Sequence, residues 1–343
     1  MRSMKRKIMF LCILFLAAVT GCGAAEEDPA GTKIRQKEIQ QEESEVIEQS
    51  RETLERVACP EFEGEDVRNV RIEEKGDILW EIDYLPREDR ASYLFWDIKV
   101  PYNSCAVVDT ESMFRNYNRI ASLDFHAETE TADTSVTGLL KPERTVTLDY
   151  YQGDQGTASD GTKPMPNKTF TLLIGKENGK GQYFCTLKGY EECVLLLDQG
   201  ILDEIFAKNP YDLILKIPYV VDISTVSEVH IQAGDREYTM KNQDGSYMLG
   251  KKKVEQKKYS EVYQALMQPM IAQEMKEEKS LGAERQAVLS VEYKRSGGRA
   301  DDLKVHFYKY DETYDSVSVN GNEFFLVSSQ EVEYLREVLE NSF

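Results

Sequence analysis

This 343-residue chain is poor in the patterns that announce catalysis. Gly-x-Ser-x-Gly, His-Glu-x-x-His and a Ser-x-x-Lys with its partner motifs are missing. Only three histidines occur, His126, His230 and His306, and they lie far apart in sequence. His230 and His306 fall in strand-like runs, so no histidine-centred acid–base set, and no catalytic residue, is expected. The stretch Gly175–Gly181 has glycines and lysines but no following helix and no Gly-Lys-Ser/Thr. It reads as a hairpin turn, so no nucleotide and no other cofactor is expected. The absence of Cys-x-x-Cys removes zinc ribbons and thioredoxin-like redox chemistry, and no metal is expected. No apolar run reaches the roughly 20 residues that span a bilayer.

Basic residues are the minority, 42 against 61 acidic ones, for a net charge of −19. That balance argues against nucleic acid, whose phosphates demand Lys and Arg patches. It argues equally against direct adhesion to anionic lipid or wall polymer. A cationic ligand or the basic face of a protein remains compatible, beside the simpler account of a solvated surface. A hydrophobic content of 41% with 19 tyrosines suits a folded, strand-rich protein rather than a disordered one.

The N-terminus carries the clearest signal. Arg2, Lys5, Arg6 and Lys7 precede an apolar run from Ile8 to Val19, too short for a span and shaped like a secretory signal. Val19-Thr20-Gly21-Cys22 resembles the bacterial lipobox: aliphatic, tolerant, small, cysteine. In that class of signals the cysteine sulfur receives a diacylglycerol and cleavage falls just before it. The plain alternative is an ordinary signal peptide with a cysteine near its cut site. The expectation is a signal peptide over residues 1–21, a lipid on Cys22, and a mature chain anchored on the extracytoplasmic face of the bacterial cytoplasmic membrane. Two acyl chains anchor stably where one does not, each buried CH2 contributing about 0.8 kcal/mol. Losing residues 1–21, with four basic and no acidic residues, takes the net charge from −19 to −23.

Cys12 leaves with the signal and Cys22 takes lipid, so Cys59, Cys105, Cys185 and Cys193 remain, an even number in an exported protein. A hairpin with its turn near Gly189 would set Cys185 opposite Cys193 and allow a disulfide. Cys59 and Cys105 would then be the remaining pair. Four buried thiols are the other option.

Residues 22–58 are rich in Glu, Gln, Lys and Arg and sparse in apolar positions, a spacer disordered near the lipid and helical further on. The rest reads as a duplicated unit, residues 59–215 and 216–343. V-x-x-V-x-I occurs at Val67–Ile72 and again at Val226–Ile231. Each copy runs through a polar turn into a second strand, "ILWEIDY" or "REYTMKN", then an aromatic-bearing strand, "SYLFWDIKV" or "GSYMLGKKKV". A helix follows each: one capped by Asp109 or Thr110 with Met113, Tyr117, Ile120 and Ala121 on a face, the other striped by Tyr259, Val262, Tyr263 and Leu266 and stopped by Pro269. "RTVTLDYY" and "TFTLLIGK" are strands around a Gly/Pro-rich loop. Further on, "GQYFCTLKGYEECVLLLDQGILDEIFAK" matches "TYDSVSVNGNEFFLVSSQEVEYLREVLE" as hairpin, strand, cap and helix. Asn320-Gly321 is a two-residue hairpin turn, and Ser328 with Glu331 has capping-box spacing. The fold class is α+β: two similar halves of antiparallel hairpins with amphipathic helices packed on one sheet face.

Acidic clusters such as Glu73-Glu74, Glu191-Glu192, Asp301-Asp302 and Tyr310–Asp315 are solvated turns in so acidic a chain, not glycosidase pairs or calcium loops. Trp80, Tyr93 and Trp96 are candidate groove aromatics, although alternation turns some of these aromatics into the core.

From "GLLKPERTVTL", Gly138–Leu148, onward the chain resembles the family known as the domain of unknown function numbered 4340. "FTLLIGK", "GQYF", "CVLLLD", "YDLILKIPYVVDIS" and "VSEVHI" follow in that family's order, and "WDIKVP" resembles its Trp-x-hydrophobic-x-x-Pro stretch upstream. The loop at Gly153–Asn167 is longer than the family pattern, and the second copy lacks a Trp in "GSYMLG". The family has no catalytic residues to carry over. The resemblance implies an exported or membrane-anchored protein with a membrane-protein partner, similar to auxiliary parts beside ABC transporters. The expected function is therefore non-enzymatic: assisting or docking on such a complex. The alternative is a ligand-binding lipoprotein holding a peptide, glycan or cation in a groove between the halves.

Overall fold

The computed structural model describes residues 62–86, 95–121, 123, 125–127, 134–153, 162–206, 209–243, 245–275, 285–296 and 302–343, with single positions 41, 45 and 52. Gln41 and Glu45 are helical and joined one turn apart, Gln41 Nε2 donating to Glu45 Oε1 at 3.2 Å. Residues 50–343 form one compact unit of two antiparallel sheets with helices, an α+β fold.

The first sheet contains β1 (Val67–Glu74), β2 (Asp77–Tyr84), β3 (Trp96–Val100), the short β4 (His126–Ala127), β5 (Arg144–Tyr150), β6 (Lys168–Glu177), β7 (Gln182–Leu187) and β8 (Leu195–Asp198). Helix α1 (Thr110–Ala121) follows β3, the single turn α2 (Thr134–Thr137) precedes β5, and α3 (Gln199–Phe206) closes the set. The strand order is β3-β2-β1-β5-β6-β7-β8-β4.

The second sheet contains β9 (Val226–Ala233), β10 (Arg236–Gln243), β11 (Ser246–Leu249), β12 (Lys252–Val254), β13 (Ile271–Glu274), β14 (Leu289–Arg295), β15 (Leu303–Lys309), β16 (Tyr314–Val319) and β17 (Asn322–Ser328). Helix α4 (Gln256–Ala265) follows β12 and α5 (Ser329–Ser342) follows β17. The order is β12-β11-β10-β9-β14-β15-β16-β17-β13.

Local sequence explains most boundaries. The β1–β2 turn uses Lys75 and Gly76 at φ 53° and 91°, and the β16–β17 turn uses Asn320 and Gly321 at 48° and 84°. Two successive left-handed residues match the twist of a tight hairpin. Asp109 starts α1, its Oδ1 accepting from the Glu111 and Ser112 amides at 3.2 and 3.4 Å. α4 ends four residues before Pro269, which cannot continue a helix. "GSYMLGKKKV" is not one strand: Gly250, at φ 58°, breaks it into β11 and β12. The spacing Ser328…Glu331 does not close a capping box. Ser328 accepts from the Gln330 amide at 3.3 Å, while Glu331 Oε2 accepts from the Met270 amide at 2.8 Å and ties the α4–β13 connection to α5.

One continuous core joins the buried residues of both sheets to those of the helices, among them Met113, Leu202, Ile205, Tyr259, Val262, Val332, Leu335 and Leu339. The segment linking the sheets is held on both sides. Leu215 N donates to Val107 O at 2.8 Å, Asp109 N to Leu213 O at 2.9 Å, and Ile271 N to Lys216 O at 2.7 Å. Tyr102, after β3, donates its hydroxyl to Glu274 Oε1 of β13 at 2.6 Å and packs on Phe325 with ring centres 4.8 Å apart.

Candidate functional site

Where the start of β3, the turn after that strand, the linking segment and the second sheet meet, a cleft of about 330 Å³ opens. Ligand pockets occupy roughly 300–1,000 Å³, so it sits at the small end of that class. β3 contributes Trp96 and Asp97, both buried at 5% and 6% exposure. The next turn brings Asn103 and Ser104, two non-glycine residues in left-handed conformation at φ 48° and 61°. Asn103 N bonds Lys99 O at 2.7 Å and Ser104 N bonds Ile98 O at 2.9 Å, which holds that turn. From the other side Asn322, starting β17, accepts at Oδ1 from Asn103 Nδ2 at 3.2 Å and so bridges the two sheets.

Arg295, at the end of β14, supplies the cation of the lining. Its Nη1 donates to Thr225 Oγ1, and its Nε is buried without a hydrogen-bond partner. Among the described residues no carboxylate is in ion-pair range of it. A buried N–H left unsatisfied costs about 1–3 kcal/mol, more on a charged group. Asp222 lies on the same lining and uses Oδ1 to accept from the amide and hydroxyl of Ser224, both at 2.8 Å. Tyr219, on the linking segment, is buried, its hydroxyl donating to Leu266 O. The lining thus combines one guanidinium, two carboxylates and amide side chains.

Cys105 also faces this cleft, donating weakly to the Asn103 and Val319 carbonyls at 3.5 and 3.7 Å. Burial, and secondarily Asp97, push its pKa up against the bond from Asn322, so the thiol is favoured over the nucleophilic thiolate.

A shallower concavity of about 440 Å³ lies on the polar face of the second sheet. His230 stands opposite Glu292, and His306 opposite Ser290, to which its Nδ1 is bonded at 2.9 Å. Glu228 meets His230 at 3.3 Å and Lys241 at 2.9 Å, and Glu292 meets Lys294 at 3.0 Å and Lys304 at 3.3 Å. Burial, then Lys304, lowers the His306 pKa, so its imidazole is neutral at pH 7. His126 is elsewhere, 3.9 Å from Asp198 at the edge of the first sheet.

Of the groove aromatics expected from sequence, Trp96 reaches the cleft and Trp80 does not. Trp80 stands opposite Ile72 on the same strand face as Ile82 and is 2% exposed, a core residue. Tyr93 lies outside the described residues, as do Cys22 and Cys59. Cys105, Cys185 and Cys193 carry thiols. The residue opposite Cys185 is Leu195, and Cys193 sits in the connection with its amide on Tyr190 O at 2.8 Å, so the β7–β8 turn does not place the two cysteines face to face. Asp97, Asn103, Asp222, Arg295 and Asn322 had no motif to betray them, because the cleft draws them from separate stretches of chain. Among the described residues no group of three or more His, Cys, Asp or Glu is placed to hold a metal ion. Comparisons with protein-family models, curated proteins and solved structures returned no match.

Proposed function

We propose that this is a non-enzymatic, lipid-anchored protein of the extracytoplasmic membrane face that assists or docks on an ABC-type transport complex through a membrane-protein partner. It is built as two similar halves, each with helices over one face of its sheet. The observation that carries the docking role is the other face of each sheet. On the first, Asn69 and Lys99 both bond Asp83, Arg71 pairs with Glu73 at 2.7 Å, and Thr169 donates to Asp149 at 2.6 Å. On the second, the Glu228 and Glu292 ion-pair lattice does the same. Polar, pre-ordered and partly solvated, such faces suit a partner whose own charges complete the lattice.

Support for two halves comes from register. Val70 stands opposite Ile82 and Leu148, and Val229 opposite Met240 and Tyr293. With β12 set aside, the two strand orders match position by position, β1 to β9 and β5 to β14. The lipobox-like Val19–Cys22 and the resemblance to the 4340 family support the anchor and the transporter partner.

In-cell crosslinking of the tagged, lipidated protein, with mass spectrometry of what co-purifies from membranes, tests this. Enrichment of a transporter permease, lost when the folded part is removed and the tether kept, is the expected result. A clean membrane fraction with no permease would sink it.

The cleft favours a second role, a binding lipoprotein whose groove between the halves takes a small ligand.

A further inference from the structure

We infer that the cleft takes a small zwitterion of the amino-acid or short-peptide class, its carboxylate on Arg295 and its ammonium against Asp97 or Asp222; this rests on the cleft's being a ligand site. The Arg295 guanidinium is the anion-binding end of the cleft. Its Nε is buried and has no acceptor, and one Nη reaches only a neutral hydroxyl. A planar fork with donors to spare matches a carboxylate, which accepts two parallel N–H bonds.

A simple anion does not fit the rest of the lining. Asp97 and Asp222 face the same space, and the chain as a whole carries −19, so a ligand bearing only negative charge is repelled on approach. A simple cation does not fit either, because it leaves the guanidinium without its acceptor. A neutral sugar satisfies hydrogen bonds but meets neither charge. A ligand with one carboxylate and one ammonium answers both at once. On the same lining Asn103 and Asn322 present amide groups, bonded to each other and each with capacity left to donate and accept, which is the complement of a peptide bond. The volume of about 330 Å³ holds a ligand of this size and not a folded domain or a long chain.

The site is also built across both sheets. Asn103 and Asn322 reach each other over the gap, so a ligand held there touches both halves.

The test uses the full-length lipidated protein in detergent, titrated calorimetrically with dialanine, N-acetyl-dialanine, dialanine amide, a neutral trisaccharide and tetramethylammonium. Tryptophan fluorescence is followed in parallel, since Trp96 lines the cleft and the chain has only two tryptophans. Dialanine is expected to bind saturably and to change the emission, and each capped form to bind at least about tenfold more weakly, a difference of about 1.4 kcal/mol. Arg295→Gln should make dialanine and its amide indistinguishable, while Arg295→Lys keeps part of the preference. Asp97→Asn should erase the difference between dialanine and its N-acetyl form, with all melting temperatures recorded as a check on folding. Equal binding of free and capped forms, or binding of the sugar or the quaternary cation alone, overturns the zwitterion assignment and leaves the cleft as a site for another class. Binding of none of the five overturns the cleft as a ligand site as well.

Discussion

Where β5 of the first sheet places Leu148 opposite Val70, β14 of the second places Tyr293 opposite Val229. At Leu148 the core has Val70 on one side and Phe170 on the other. Around Tyr293 it is a chain of phenol rings: Tyr219 and Tyr263 each have ring centres 5.9 Å from it, and Tyr259 continues the chain to Tyr247 at 5.0 Å. Leucine and tyrosine therefore occupy one register, and the difference lies in hydrogen-bond acceptors. Tyr263 donates to Val221 O at 3.1 Å, Tyr219 to Leu266 O, and Tyr293 to the Tyr219 hydroxyl at 3.4 Å. Residues 219–221 belong to the linking segment. The second core thus fastens the linker, and with Tyr219 the linker forms one wall of the cleft. The first half has its polar burial elsewhere, at Arg68, whose guanidinium donates to the carbonyls of Glu65 and Pro164 at 2.7 Å each and stacks over Tyr84.

Alkaline pH should weigh most on the second core, although burial also raises the pKa of Tyr102 and Tyr150 in the first. Burial raises the pKa of Tyr219, Tyr263 and Tyr293, and pushes Tyr259 up to about 12. In the unfolded chain a tyrosine titrates near ~10. Above that pH the unfolded state sheds protons that the folded state keeps, so stability is whole below pH ~10 and falls as pH rises toward 12. Each such tyrosine contributes a slope of about 1.4 kcal/mol per pH unit, so four together lose several kcal/mol per unit. Urea midpoints between pH 9 and 11, with tyrosine near-ultraviolet dichroism as the probe, measure it. A flat profile would contradict the buried phenol chain.

Exchanging the two residues breaks the comparison directly. Leu148→Tyr adds volume to the first core and a hydroxyl with no acceptor, a cost of roughly 2–6 kcal/mol from overpacking and an unmade hydrogen bond. Tyr293→Leu removes a hydroxyl whose partner, Tyr219, keeps Leu266 O, and should cost about 1–3 kcal/mol. Denaturant titration of both variants ranks them. Equal costs would mean that the acceptors on the linker do not decide which core takes tyrosine.

The hairpins and the helix start were legible because V-x-x-V-x-I, the Asn-Gly turn and the Asp109 cap act over a few residues. The alternation in "LSVEYKR" and "LKVHFYK" is equally local, yet β14 and β15 were not matched to β5 and β6, since Tyr293 and Phe307 stand where Leu148 and Ile174 do and similarity of residue type is lost. Strand parity does not separate the tryptophans: Trp80 shares a face with Ile82 and Tyr84, and Trp96 stands opposite Tyr84 on that same face, all buried. The cleft was not legible at all. Its charged and amide groups come from β3, the linking segment, β14 and β17, and only the pairing of the sheets makes them neighbours.

Tyr102 sharpens the comparison where the two sheets meet. Its hydroxyl donates to a carboxylate, a bond in the range of about 1.5–3 kcal/mol. Tyr102→Phe keeps the ring on Phe325 and removes that bond, so the loss of stability should fall in this range. Weaker dialanine binding should accompany it, since Tyr102 immediately precedes the turn that carries Asn103. Calorimetric melts and the same titration read both. Unchanged binding with lowered stability would show that the cleft is held by the Asn103–Asn322 bond alone.

The smallest expected difference concerns the helices that follow β8 and β17. β17 ends on Ser328, whose hydroxyl caps α5 by accepting from the Gln330 amide. β8 ends on Asp198 before α3, but that carboxylate accepts from Gln182 Nε2 at 3.0 Å and lies 3.9 Å from His126. Equivalent positions thus carry two good N-cap residues, of which Ser328 alone serves its helix. Ser328→Ala should cost about 1 kcal/mol, the usual price of an N-cap. Asp198→Ala removes exposed surface contacts and should cost less, within about 0–1 kcal/mol. The order matters more than the values: if Asp198→Ala proves the costlier change, α3 draws on its preceding carboxylate after all, and the two halves begin their last helices by the same means.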